Sequence, residues 1–237
     1  MFDKKITMYK SVVDTTEPVV VSLSTALERI KEGKSKSKVK EVRTGNRSRK
    51  KELPIAMFSG VFNGRKDQDL KRHSGLIVLD FDHINVKESK SLLGTDDYVL
   101  ACWASPSGDG LKAIVQVSNP DKHRDHFRSL QSYFDKTYGL EVDPSGINEA
   151  RACYESHDPD LVINTTAQPF GMMLSEKALD QSAELKTDRS YTDYNKMNII
   201  CSMIRGASDG EKHLILCKAS VLAGGYIAAG RLEEDEA

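Results

Sequence analysis

Cysteine is scarce in this chain and badly placed for bonding: four residues, Cys102, Cys153, Cys201 and Cys217, lie far apart with no CxxC pair. That excludes a zinc ribbon and a dense disulfide framework, and it predicts reduced thiols in a cytoplasm-like compartment. Long hydrophobic runs are absent too. No stretch approaches the ~18 apolar residues of a membrane span, and MFDKKITMYK lacks the apolar core of a signal peptide, so a cytoplasmic protein without membrane contact is expected. Charge of one sign is also missing in excess. The formal net charge is −1, which rules out a uniformly basic nucleic-acid coat and leaves room for a local basic strip.

What is present is enough apolar sequence for one large domain, or one domain with an appendage. VVVSLSTALERIKEG (Val19 to Gly33) reads as a strand, a Ser/Thr cap and an amphipathic helix stopped by glycine. The run from Lys34 to Lys51 is half Lys and Arg. Such a run is ordinarily a solvated loop; the alternative is a contact to a nucleic-acid backbone through Lys38, Lys40, Arg43, Arg47 and Arg49.

The centre is more regular. LIVLDFD, YVLACWA and LKAIVQV have strand length and apolar character, with the helix-like KESKSLLGTDD between the first two. Phe127, Leu130, Phe134 and Tyr138 recur at helical spacing before Gly139, and LEVD follows as a fourth strand. The predicted order is β-α-β-β-α-β, an α+β fold with an RNA-recognition-like core, preceded by a small α/β unit. Residues 1–165 are expected to form this domain, 166–190 a linker, and 191–237 a helical appendage that stops abruptly, as a piece of a longer protein would.

Three places could carry chemistry. Asp80 and Asp82 lie at i and i+2, so on a strand both carboxylates share a face, and two acids side by side call for a cation such as Mg²⁺ or Mn²⁺. DxD alone is a weak signal among 35 acidic residues. SPSGDGLK, from Ser105 to Lys112, is either a hairpin turn or a phosphate cradle, in which Ser105, Ser107, Gly108, Gly110 and Lys112 would surround an anion. Asp143 ends the fourth predicted strand and would stand beside Asp80; Arg151 could clamp a triphosphate. His123 and His126 are assigned to a solvated helix face rather than to a metal.

In this order Asp80-Phe81-Asp82, SPSGDGLK and Asp143 resemble the three motifs of archaeo-eukaryotic primases and primase-polymerases. PIAMFSGVFNGR, LIVLDFDHI, SPSGDGLKAIV and NEARACYESHDPD look like the VirE N-terminal group of mobile-element and phage replication proteins, over Leu53 to Asp160. The resemblance implies a metal-dependent nucleotidyltransferase, with Asp80, Asp82 and Asp143 holding two divalent ions. Ser105, Ser107, Gly108, Gly110, Lys112 and Arg151 would hold a nucleoside triphosphate. Single-stranded DNA would be the template, and a fused or separate helicase a partner. Where such proteins carry a histidine, this chain has Lys112, a point charge without acid–base flexibility near neutral pH. Two other readings stand beside this one: a binding module for nucleotide or single-stranded DNA without turnover, and a haloacid-dehalogenase-type phosphatase.

Overall fold

The structure, a computed structural model, describes residues 2–173 together with Leu216 and Ser220. The chain divides into two units, Met1–Met173 and Leu174–Ala237. In the first, β1 (Lys5–Tyr9) pairs antiparallel with β2 (Val19–Ser22). Ser22 then caps α1 (Leu23–Glu32) by accepting from the Thr25 amide at 3.1 Å. Leu23, Ala26, Leu27 and Ile30 form the buried stripe of α1, and Gly33 ends it at φ 75°.

The basic run that follows is not the loop expected from its charge. Lys36–Arg43 is a helix, α2, and Arg47–Glu52 a 3₁₀ turn, because Val39 and Val42 fall one helical turn apart and bury against Leu53. Three short strands come next: β3 (Ile55–Met57), β4 (Gly60–Phe62) and β5 (Leu70–His73).

The central sheet is built from β6 (Leu76–Phe81), β7 (Val99–Ala104) and β8 (Leu111–Gln116). α3 (Val86–Leu93) joins β6 to β7, and α4 (His123–Tyr138) follows β8. β8 lies antiparallel between β6 and β7, as the predicted split arrangement requires. This antiparallel pairing also departs from the alternating parallel units that a haloacid-dehalogenase phosphatase needs.

The fourth strand is where expectation and structure part. Residues 140–143 form no strand: Pro144, which lacks an amide proton, opens a 3₁₀ turn (Pro144–Ile147) and stops any ladder at Asp143. The backbone still runs beside β6, with the Asp143 amide donating to the Asp80 carbonyl at 2.8 Å. The remaining edges are filled from further along the chain. β9 (Cys153–Tyr154) pairs with β3, and β10 (Val162–Ile163) pairs with β7.

Alternation along β6 sorts the core into two layers. Ile77, Leu79 and Phe81 pack with Leu93 of α3 and with Phe127, Leu130 and Phe134 of α4. Leu76 and Val78 face the other way, toward Ile6, Leu27, Phe58 and Trp103. Asp80 continues that second face, so the N-terminal elements, not the helices, stand opposite it.

Two further expectations change. Ala167 and Phe170, in the stretch expected as a linker, are buried, and the Phe170 amide donates to the Gln116 carbonyl at 2.7 Å, so the packed body runs on toward Met173. The expected helical appendage, 191–237, lies outside the described residues except Leu216 and Ser220, both helical. His123 and His126 are buried rather than solvated: His123 lies against His73, whose Nε2 is 2.9 Å from His123 Nδ1, and His126 lies edge-on to Phe170, accepting from the Asn119 amide. Among the described residues no helix is long and apolar enough to cross a membrane.

Candidate metal centre and adjoining cavity

β6 delivers Asp80 and, just past its end, Asp82 to one face; the Asp143 amide bond to Asp80 brings in the third acid. One carboxylate oxygen from each of Asp80, Asp82 and Asp143 lies within 4.8 Å of the others. This is the trio expected from the sequence, although Asp143 arrives on a turn and not on a strand.

The three acids are held differently. Asp143 caps its 3₁₀ turn, accepting at Oδ1 from the Ser145 amide (2.9 Å) and at Oδ2 from the Ser145 hydroxyl (2.6 Å) and Arg151 (3.1 Å). Burial pushes its pKa up, but those bonds and the Arg151 charge outweigh it, and the net shift is down. Asp82 is exposed and carries no such support. Partial burial, then the neighbouring Asp80 charge, raises its pKa. Asp80 Oδ2 accepts from Lys112, whereas Asp80 Oδ1 is buried without a partner. A buried, unpaired carboxylate oxygen is costly unless something completes it. With the exposed Asp82 carboxylate beside it, this is the hard oxygen donor set that suits Mg²⁺ or Mn²⁺.

Lys112 sits directly across the ladder from Asp80, its side chain only 8% exposed. Burial works against its ammonium, but the Asp80 carboxylate that it donates to, with Asp82 close by, outweighs that and raises its pKa. Cys153 itself is buried, and its thiol is pushed up to about 11.

A cavity of about 550 Å³ opens from Asp80 and Lys112. This lies within the range of small-molecule sites. Lys50, Arg65, Lys66 and Arg151 supply its positive wall, and Val12, Ala150, Ala152 and Tyr154 an apolar one. Arg65 donates through Nη1 to the Val12 carbonyl at 2.8 Å, but its Nε is buried with no partner. Lys50 Nζ stands 5.5 Å from the centre of the Tyr154 ring.

Among the residues expected to hold nucleotide, Lys112 and Arg151 line this cavity, while Ser105, Ser107, Gly108 and Gly110 do not. Their turn instead buttresses Asp82. The Ser105 amide donates to the Gly110 carbonyl (2.8 Å), and the Gly108 amide, at φ 84°, donates to the Ser105 carbonyl (3.0 Å). Two amides of the supposed cradle are thus spent inside the turn. The Asp109 carbonyl accepts from Ile84 at 3.2 Å, which ties the turn to the chain just past Asp82.

The basic residues are likewise redistributed. Arg43 clamps the turn, bonding the Ser105 and His157 carbonyls at 3.0 Å each; Arg49 pairs with Glu41 and Glu52; Lys38 bonds the Glu52 carbonyl. Lys40 and Arg47 stay exposed. Three further cations line the cavity, Lys50, Arg65 and Lys66, and none of them was among the residues expected to hold nucleotide. Lys50 was hidden in the charged run, and Arg65 and Lys66 follow a glycine with no periodic pattern around them. Only the likeness of PIAMFSGVFNGR to a known group marked that stretch.

Residues 48–162 match the family BT4734-like, N-terminal domain. No curated protein matches the chain. A crystal structure of primase RepB′ aligns over 85% of this chain at 14% identity and TM-score 0.34; the chain spans 63% of that protein's length.

Proposed function

We propose that this chain is a metal-dependent nucleotidyltransferase of the primase-polymerase type, related to the VirE N-terminal group and acting in the cytoplasmic replication of a mobile element or phage. One observation carries the reading: Asp80, one of three carboxylates whose oxygens lie within 4.8 Å of one another, also lines a cavity together with Lys50, Arg65, Lys66, Lys112 and Arg151.

In this reading Asp80, Asp82 and Asp143 hold Mg²⁺ or Mn²⁺, which when bound polarises the α-phosphate and lowers the pKa of an attacking 3′-hydroxyl. Lys50, Arg65, Lys66 and Arg151 take the triphosphate. Arg65 lines the cavity, and its Nε–H is taken by no acceptor of the protein. Tyr154, Val12, Ala150 and Ala152 cover the sugar and base, excluding water from the reacting end. Lys112 and Arg151 keep the Asp80 and Asp143 carboxylates turned toward the centre. Ser105, Ser107, Gly108 and Gly110 act indirectly, by fixing where Asp82 stands. A single-stranded DNA template would follow the exposed Lys40 and Arg47, and a fused or separate helicase would open the duplex ahead of it. An RNA-recognition-like core would supply the sheet on which all this is mounted.

The Lys112–Asp80 pair favours a second reading, a binding module that holds nucleotide without turnover. Nucleotide incorporation on primed and unprimed single-stranded templates separates the two. Metal-dependent extension by the wild type, lost in Asp80→Ala, supports the transferase. Nucleotide binding with no extension by either protein supports the binder, and no nucleotide binding at all contradicts both.

A further inference from the structure

The three acids are not a bare cluster, because two of their negative charges already face built-in cations. Lys112 sits in the cross-strand position opposite Asp80 and donates to its Oδ2; Arg151 donates to Asp143 Oδ2. Three carboxylates with two cations leave a local charge of one negative unit. The oxygens left over are equally few. Both Asp143 oxygens accept from Ser145, Asp80 Oδ2 is taken by Lys112, and the unpartnered set is Asp80 Oδ1 with the Asp82 carboxylate. One or two protein carboxylates are the usual protein share for one Mg²⁺-like ion, whose other positions go to water and phosphate.

A two-ion centre needs its metals ~3.5–4 Å apart, bridged by shared carboxylates. Here the carboxylate best placed to bridge, Asp80, has one oxygen engaged by an ammonium. Lys112 has little freedom to swing clear. It lies on the central strand with its neighbours on both sides hydrogen-bonded, opposite Asp80 on β6 and Trp103 on β7, and its side chain is 8% exposed.

Resting on the metal reading above, we propose that Lys112 is a built-in cation occupying one of the two charge positions among Asp80, Asp82 and Asp143. The centre therefore takes a single divalent ion, also when nucleotide is bound. The charge stabilisation that a second ion would give the leaving phosphates falls to Lys112, Arg151 and the cavity's Lys50 and Arg65.

Electron paramagnetic resonance of the full chain titrated with Mn²⁺, alone and with a saturating non-hydrolysable nucleoside triphosphate, tests this. The expected result is one bound Mn²⁺ per chain with no spin-coupled pair in either condition. Lys112→Met, shown by circular dichroism to be folded, should gain a second, coupled ion. A coupled pair in the wild type overturns the inference and leaves the metal reading standing, whereas no bound Mn²⁺ overturns both. A folded Lys112→Met that still takes one ion overturns the inference as well. The wild-type spectrum decides whether or not the variant folds.

Discussion

Gly110→Ala is a one-methyl change with a calculable effect on the metal centre. A Cβ at Gly110 would overlap the Phe81 carbonyl oxygen and lie 3.3 Å from both Asp82 Cα and Asp82 Oδ1. Neither side yields freely. Gly110 is held by the Ser105 amide at 2.8 Å, and Phe81 is in ladder register with Leu111. Overpacking of this kind costs about 1–3 kcal/mol. For a body of this size, that lowers the melting temperature by roughly 2–4 °C per kcal/mol. The site pays more than the fold. Metal–ligand distances tolerate only about 0.2 Å, and a misplacement of ~1 Å at a reacting centre costs on the order of a hundredfold. Because Asp82 is the acid without its own hydrogen bonds, it is the one that gives way, and Mn²⁺ affinity should fall at least about tenfold. Gly139→Ala is the control. Its φ is 64°, so the substitution is strained, yet nothing lies within 4 Å of the new methyl and the site is not involved. Calorimetric Mn²⁺ titration of both variants, beside their melting curves, separates the two effects. Gly110→Ala binding Mn²⁺ with wild-type affinity would refute the claim that this turn sets Asp82.

The remaining expectations concern charge. Burial holds His73 at about 4 and His123 at about 3, well below the ordinary 6.5, so the unfolded chain takes up protons first as pH falls. Stability is therefore full above pH 6.5 and declines from there toward pH 3, at up to about 1.4 kcal/mol per pH unit for each histidine; urea unfolding at pH 7, 6 and 5 should show the slope, and His123→Phe should flatten it. Asp158 is buried and accepts from both Lys90 and the Ala104 amide, so Asp158→Ala should cost about 3–5 kcal/mol by chemical denaturation. Lys50→Ala should weaken nucleotide binding about tenfold, as loss of one charge-assisted bond does, while Arg47→Ala leaves it unchanged; equal effects in a fluorescence titration would contradict the cavity assignment.

Much of the site was legible because its chemistry obeys strand periodicity. Asp80 and Asp82 had to share a face once LIVLDFD was a strand, whereas the register that sets Lys112 across from Asp80 came only with the structure. The stretch whose motifs were recognisable, Leu53 to Asp160, also nearly coincides with the 48–162 match. What stayed hidden depends on partners distant in sequence. Val39 and Val42 needed Leu53 to become the buried side of α2, and Lys50 came to the cavity only because that helix and turn formed. Asp143 reached the acids through a single backbone bond while Pro144 cut the expected strand short. The glycine turn was recognised, but its place was not: the Ser105 and Gly108 amides close on the turn itself, and Gly110 packs against the backbone at Phe81 and Asp82 rather than lining the cavity. His123 and His126 show the same limit, since helical spacing cannot say that His73 will come to lie against one and Phe170 against the other.

The acids and the cationic cavity are proposed to form one nucleotide site. Crystals grown with Mn²⁺ and a non-hydrolysable nucleoside triphosphate test it most directly, with data collected at the manganese absorption edge. An anomalous peak is expected among Asp80, Asp82 and Asp143, with the triphosphate along Arg65, Lys50 and Arg151. Nucleotide bound elsewhere, or an occupied cavity with no manganese at the acids, would contradict it.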